Sequence, residues 1–187
     1  MRVVGGKFKG RNIIAPRGTG TRPTSDQARE SIFNILTHAD WAPALDNVNV
    51  IDIFAGSGAL GIEAISRGAG FCLFVETAPA ARAAIRENVD KMGLAGMTRV
   101  HRRDATKLRI EPGNLKGPFT YLFIDPPYHK GLGLPVIRKL NAQGLITKNA
   151  IIIYETGKDE DPNLGQFTVH DIRKWGAAKV HFLSLTQ

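Results

Sequence analysis

Apolar positions change their spacing twice along the chain. In residues 1–14 they come in pairs about a polar turn. Val3 and Val4 lead in, Lys9 and Gly10 supply the turn, and Ile13 and Ile14 lead out, which predicts a small β-hairpin. Residues 15–24 are a loop rich in Pro, Gly, Thr and Arg. A helix is predicted from near Ser25, with Ala28, Ile32, Ile35 and Leu36 on one stripe and Thr24 and Gln27 spaced as a capping box. From residue 48 onward, short apolar runs alternate with helical stretches. Strands are predicted at 48–54, 71–75, 99–103, 121–124 and 150–154, and helices at 58–67, 80–92 and 132–140. The segments 168–172 and 179–185 predict a closing strand pair. No internal repeat interrupts this order.

Alternating strands and helices imply an α/β fold of Rossmann-like form, a mostly parallel sheet covered on both faces. The closing pair implies an antiparallel hairpin at one edge. The expected organisation is a basic N-terminal hairpin and loop, 1–24, followed by one domain, 25–187. A chain of 187 residues suits one such core.

Composition narrows the function classes. No apolar run is long enough to span a bilayer, and the N-terminus carries no signal-peptide segment, so a cytoplasmic protein is expected. The single cysteine, Cys72, lies in an apolar run, which excludes an internal disulfide and a cysteine-rich metal site. His38, His101, His170 and His181 are scattered, and no metal is expected. Trp41 and Trp175 read as packing residues. The net charge of +8 is uneven. Arg2, Lys7, Lys9, Arg11, Arg17 and Arg22 occupy an acid-free stretch, and Arg99, Arg102, Arg103, Lys107 and Arg109 are opposed only by Asp104. Clustered cations of this kind imply a polyanionic partner, with nucleic acid foremost.

Two segments carry candidate chemistry. The first runs from Asp52 through Phe54 to Gly61, where Gly56, Gly58 and Gly61 fit G-x-G-x-x-G between a strand and a helix. Glu76 lies twenty residues after Gly56, at the end of the next strand, where an acid accepts hydrogen bonds from ribose hydroxyls. Both a dinucleotide and S-adenosylmethionine satisfy this pattern. Asp52 favours the second, because a carboxylate beside a phosphate site repels anions and suits a cationic ligand. A loop-capping role for Asp52 stays open. Asp104 follows the third strand at the edge of the same pocket, facing an adenine amino group or closing a turn.

The second segment is Asp125-Pro126-Pro127-Tyr128, after the fourth strand. Two prolines fix the backbone, so that the Pro126 carbonyl points rigidly outward. Asp125 is a second acceptor and Tyr128 a flat ring. An exocyclic amino group on a base is a poor nucleophile, because its lone pair is delocalised. Two acceptors, one for each N–H, favour a tetrahedral nitrogen whose lone pair points at a methyl donor, while the ring stacks the extruded base. His129 and Lys130 follow directly and are candidates for a phosphate contact. Glu155 ends the fifth strand and either faces the site or caps a loop.

These segments resemble the RsmD-type family of 16S rRNA guanine-N2 methyltransferases. The likeness runs over the opening hairpin through Arg11, over Gly20 to Asp26 and Phe33 to Leu36, and over the glycine loop and Asp125 to Tyr128. The resemblance implies S-adenosylmethionine as cofactor. Thr24, Asp52, Phe54, Gly56, Gly58, Glu76, Asp104 and Asp125 would border it. Asp125, Pro126 and Tyr128 would be catalytic. Arg2, Lys7, Lys9, Arg11, Arg17, Arg22, His129 and Lys130 would meet RNA. It also implies action on the guanine conventionally numbered 966, in 16S rRNA of the small ribosomal subunit or its assembly intermediate. A monomer is expected, because no apolar interface pattern stands out along the chain. Other readings are an adenine-N6 or cytosine-N4 DNA methyltransferase, a non-catalytic RNA-binding assembly factor, and a nicotinamide-dependent oxidoreductase, which Asp52 and the prolines disfavour.

Overall fold

Every second side chain in the apolar runs faces the same way, and the two sets fill two cores. Val50, Cys72, Phe74, Tyr121, Phe123, Ile151 and Ile153 share one cluster with Phe33, Ile62 and Ile85. Ile51, Ile53, Leu73, Val75, Leu122, Ile124 and Ile152 share the other with Val136, Ile137 and Leu140. A sheet buried on both faces needs apolar residues at both parities, which is why these strands read as unbroken apolar runs.

The computed structural model describes residues 1–16, 25–110 and 116–186. These residues form helices α1 (Asp26–His38), α2 (Ala59–Ser66), α3 (Pro79–Met92) and α4 (Gly133–Ala142). They also form strands β1 (Asn49–Ile53), β2 (Phe71–Val75), β3 (Thr98–His101), β4 (Phe119–Ile124), β5 (Ile146–Gly157), β6 (Phe167–Trp175) and β7 (Ala178–Leu185). The sheet order is β3-β2-β1-β4-β5-β7-β6. β1 to β5 pair in parallel, and β7 lies antiparallel to both β5 and β6. Chain order reverses direction between β1 and β4, and such a switch point leaves a crevice at the carboxyl edge of the sheet. Among the described residues, no helix is long and apolar enough to cross a membrane.

The structure moves several predicted boundaries. β5 starts at Ile146, because Thr147, Lys148 and Asn149 are polar strand residues at its less buried end. β6 extends to both sides of its predicted core, since an edge strand keeps polar side chains in solvent while its backbone still pairs with β7. β3 stops at His101, which leaves Arg102 and Arg103 in the following loop. The cap of α1 is Ser25, whose Oγ accepts the Ala28 N–H at 3.1 Å. Thr24, the cap expected from the sequence, lies outside the described residues.

The predicted N-terminal hairpin keeps one bridge, Arg2 to Asn12. Val3 N–H also donates to the Arg11 carbonyl at 2.9 Å, Gly10 N–H to the Val3 carbonyl at 2.8 Å and Ile13 N–H to the Met1 carbonyl at 2.9 Å, while further groups of the segment bind α2. Val4 N–H donates to Glu63 Oε2 at 2.9 Å, and Lys7 N–H donates to the Ser66 carbonyl at 2.7 Å. Phe8 N–H donates to Ser66 Oγ at 2.9 Å. Glu63 is fully buried and also takes the Arg67 Nε–H at 2.8 Å. The segment therefore lies along α2, and Val3 and Ile13 sit in the same core as Phe33. The contact is tight at Gly6, where φ is +72° and an added Cβ would stand 1.9 Å from the Ser66 carbonyl oxygen.

Candidate active site

Each acid singled out in the sequence follows or ends an apolar strand, and strand pairing decides where each comes to rest. Beyond Ile53 the ladder continues, as Phe54 N–H and Ala55 N–H both donate to the Val75 carbonyl, at 3.1 and 3.3 Å. Phe54 takes φ +60°, a left-handed conformation that a bulky residue holds only when its surroundings impose it. The loop then closes with Gly58 N–H donating to the Ala55 carbonyl at 2.7 Å. Glu76 fastens the loop from the next strand. Its Oε2 accepts the Gly56 N–H at 2.9 Å, and its Oε1 accepts the Ala78 N–H at 2.8 Å. Gly61 seats α2 on β2, since a Cβ there would lie 2.5 Å from Cys72 Sγ.

Sequence reasoning puts Asp52 at the ligand face. The structure puts it beneath the loop, 2% exposed, with Oδ2 accepting the Gly61 N–H at 3.0 Å. Burial pushes its carboxyl up to about 8, the Gly61 hydrogen bond opposes that rise, and the charge of Glu76 adds to it. The geometry is that of the loop-capping alternative. Any influence of Asp52 on a ligand acts through the loop above it.

The loop fits an adenosyl cofactor. A Cβ built at Gly56 meets nothing within 4 Å, so the upper side of the turn faces open space. Glu76, with both oxygens held by backbone amides, is oriented at the end of β2 and keeps lone pairs for ribose hydroxyls. Asp104 is exposed, and its Oδ1 accepts from Thr106 N–H at 2.9 Å and Oγ1 at 2.7 Å. Those hydrogen bonds hold its carboxyl below the usual range. Asp104 lines a cleft of about 500 Å³ with Thr77, Arg102, Arg103 and Lys107.

The Asp-Pro-Pro-Tyr segment leaves β4 beside this loop. Asp125 N–H donates to the Ile53 carbonyl at 3.3 Å, which joins the two segments directly. Burial pushes the Asp125 carboxyl well above its ordinary value, and the charges of Glu155 and Asp52 push the same way. β4 pairs with β5 through Ile124 and Tyr154, so Asp125, just past the end of β4, lies beside Glu155, which stays within β5 and pairs with Val180. Glu155 is 7% exposed, and its Oε1 accepts the Tyr128 hydroxyl at 2.5 Å. Burial and this carboxylate raise the Tyr128 phenol, so it stays a neutral donor. Pro126 is buried and Pro127 exposed. Tyr128 and Glu155 open onto a cleft of about 440 Å³, bounded by Ser25 and Gln27 at the start of α1 and by Trp175 and Ala178 at the β6–β7 turn.

The candidate RNA contacts fall into separate places. Lys9 and Arg11 are exposed, and the Lys7 ammonium lies 5.6 Å from the Phe8 ring centre. Lys7 binds the C-terminal end of α2, roughly 12 Å of helix from the glycine loop. Arg2 sits over Asp26, with Nε 3.8 Å from Oδ2. His129 and Lys130 are exposed just past the motif, and His129 Nε2 lies 3.8 Å from Asp159 Oδ1. Arg17 and Arg22 lie outside the described residues. Among the described residues, no group of three or more His, Cys, Asp or Glu is placed to hold a metal ion. Trp41 stacks on His170 at 4.7 Å between ring centres.

Sequence reasoning left Glu155 open and passed over Asn88. Asn88 is fully buried on α3. Its Oδ1 accepts the Ile14 N–H at 2.8 Å, and its Nδ2 donates to the carbonyls of Ile14 at 3.0 Å and Ser57 at 3.1 Å. One side chain thus joins the N-terminal segment to the glycine loop. The signal for Glu155 was present, as an acid directly after the apolar run 150–154 just as Asp125 follows 121–124, although β5 itself continues to Gly157. Asn88 had none, because a single amide in a helix reads as surface.

A parallel sheet with its switch point between β1 and β4, carrying this loop and this motif at one edge, defines a Rossmann-like methyltransferase. The family model described as Conserved hypothetical protein 95 matches residues 1–184, and the chain belongs to that family, the RsmD-type methyltransferases. The chain is 35% identical over 156 residues to Ribosomal RNA small subunit methyltransferase D of Escherichia coli (strain K12), a match covering 83% of this chain and 74% of that protein. It is 30% identical over 161 residues to the protein of the same name from Haemophilus influenzae, covering 86% and 80%. The solved structure of Escherichia coli yhhF superposes with a TM-score of 0.80 at 30% identity, covering 99% of this chain and 97% of that one. A ribosomal protein L11 methylase from Lactobacillus delbrueckii shares the fold, with a TM-score of 0.70 at 16% identity over 97% and 89% of the two chains.

Proposed function

We propose that this protein transfers the methyl group of S-adenosylmethionine to the exocyclic N2 of a guanine in 16S rRNA of the small ribosomal subunit or its assembly intermediate. The observation that carries the reading is the direct junction of the Asp125 segment with the glycine loop, through the Asp125 N–H to Ile53 carbonyl bond and the shared ladder of β1 and β4. The relatives named ribosomal RNA small subunit methyltransferase D supply the substrate class.

S-adenosylmethionine, when bound, supplies an electrophilic methyl on a sulfonium centre. Phe54, Gly56 and Gly58 would lie under it, Glu76 would take the ribose hydroxyls, and Asp104 would flank the adenine. Asp52 would hold the loop from beneath, and Thr24 would border the methionine end. Asp125 and the Pro126 carbonyl accept the two N–H bonds of the guanine amino group and orient its lone pair. Tyr128 stacks the base. The proton that becomes acidic after transfer leaves through Asp125, whose raised carboxyl suits it to accept one. Residues 1–24 form the RNA-gripping extension of domain 25–187, with Arg2, Lys7, Lys9, Arg11, Arg17 and Arg22 on phosphates and His129 and Lys130 near the extruded base. The proposed active unit is a monomer, working in the cytoplasm where ribosomes assemble.

The test is methyl transfer from labelled cofactor to undermethylated small subunits and, in parallel, to duplex DNA, followed by nucleoside analysis. Label in N2-methylguanosine is the expected result. Label only in DNA adenine or cytosine would overturn the substrate, and tight RNA binding without label would favour an assembly factor.

A further inference from the structure

The proposed reading leaves one group at the site without a task, and its position bears on which base enters. Asp125, directly after β4, stands beside Glu155 near the carboxyl end of β5. Both follow the parity of Tyr121, Phe123, Ile151 and Ile153, so both face the α1 side of the sheet. Glu155 is almost wholly buried, lines the 440 Å³ cleft, and is fixed by the Tyr128 hydroxyl. A carboxylate so held accepts hydrogen bonds and offers none.

The three amino-bearing bases differ in the ring atom that flanks the amino carbon. In adenine that atom is N1, and in cytosine it is N3, both bare acceptors. In guanine, the amino carbon lies between a bare N3 and N1, which carries a hydrogen, so the amino group and N1 form a row of donors along one edge. An amino group held by Asp125 therefore brings that ring atom close to a second acceptor. With guanine, the second acceptor gains a hydrogen bond. With adenine or cytosine, a lone pair faces a carboxylate in a desolvated cleft, an arrangement that rejects the ligand.

Building on the proposed methyl transfer to N2, we infer that Glu155 is the residue that selects guanine, accepting the guanine N1–H while Asp125 and the Pro126 carbonyl hold the amino group. Tyr128 is a positioning residue for Glu155 as well as a stacking platform. Trp175 and Ala178 at the β6–β7 turn line the same cleft as Glu155.

The test uses small subunits reconstituted with rRNA that carries either guanine or 2-aminopurine at the methylated position. 2-Aminopurine keeps the 2-amino nucleophile and replaces the N1 donor with an acceptor. The wild-type enzyme is expected to prefer guanine by on the order of 100-fold or more in kcat/KM, as sites that bind a buried donor reject analogues lacking it. Glu155→Gln places an amide donor beside that nitrogen, and should narrow the preference by at least about tenfold, with S-adenosylmethionine affinity unchanged by calorimetry. Wild-type enzyme that methylates both bases equally well would overturn the role of Glu155, and that result needs no variant. An unchanged preference in Glu155→Gln would do the same. Failure of wild-type enzyme to label guanine at N2 would instead overturn the proposed function.

Discussion

At the scale of single residues, burial pushes the carboxyls of Asp52 and Asp125 above their ordinary values, while hydrogen bonds from Thr106 hold that of Asp104 below its own. Asp125 touches the substrate in the proposed reaction. Asp125→Ala should lower turnover by about 100- to 1000-fold, as removal of one preorganised polar group does, while calorimetric affinity for S-adenosylmethionine changes little. Turnover at the wild-type rate would dismiss the paired acceptors. Asp52 makes a different prediction. Its carboxyl is raised to about 8 in the folded protein, against a usual value near 3.8. Between those values the folded state holds a proton that the unfolded state has lost. The contribution of Asp52 to stability is therefore greatest below about pH 4 and falls as pH rises toward 8, by at most about 1.4 kcal/mol per pH unit. Asp52→Asn keeps an oxygen for the Gly61 N–H and cannot ionise. Urea unfolding across that range should show wild type losing stability relative to the variant, and parallel curves would show that Asp52 stays ionised.

At the scale of elements, the N-terminal segment is tied to two helices as well as to itself. Ser66 Oγ takes Phe8 N–H at 2.9 Å and donates to the Gly5 carbonyl at 2.6 Å, and Asn88 holds Ile14 and Ser57 together. Asn88→Ala leaves buried backbone groups without partners and should cost about 2–4 kcal/mol, read as a lower urea midpoint with an unchanged slope. Limited proteolysis should also cut faster after residue 14 than in wild type. Equal midpoints and equal cleavage rates would show that Asn88 does not hold the segment in place. The elements of the α/β core were largely legible, since period-two burial on both faces leaves unbroken apolar runs. β6 and the start of β5 were shortened, because their polar side chains face solvent and only backbone pairing defines them.

At the scale of the whole molecule, the net charge of +8 is divided among places that the fold keeps apart. Lys7, Lys9 and Arg11 ride on the segment along α2, Arg102, Arg103 and Lys107 rim the cleft at the end of β3, and Lys130 follows the motif. A polyanion reaching the site from the N-terminal segment must lie along α2, which suits a structured RNA better than a short oligonucleotide. Changing Lys7, Lys9 and Arg11 together to Ala should weaken RNA binding and reduce the slope of log affinity against log salt by up to about 3, one for each phosphate no longer neutralised. An identical slope would remove the segment from the interface.

The sequence by itself determined the class of fold, the glycine turn and the acid and motif at the strand ends. Each rests on local rules, namely burial parity, backbone conformations that only certain residues tolerate, and the rigidity of paired prolines. Tertiary structure alone decided what each acid meets. Asp52 and Asp125 stand similarly in sequence, one near the end of an apolar strand and one just after, yet one is sealed beneath a loop while the other is half-buried where β4 ends. Glu155 and Asn88 acquire their places only when strands distant in sequence pair and helices pack, because a hydrogen bond between residues 27 or 74 positions apart leaves no trace in either neighbourhood.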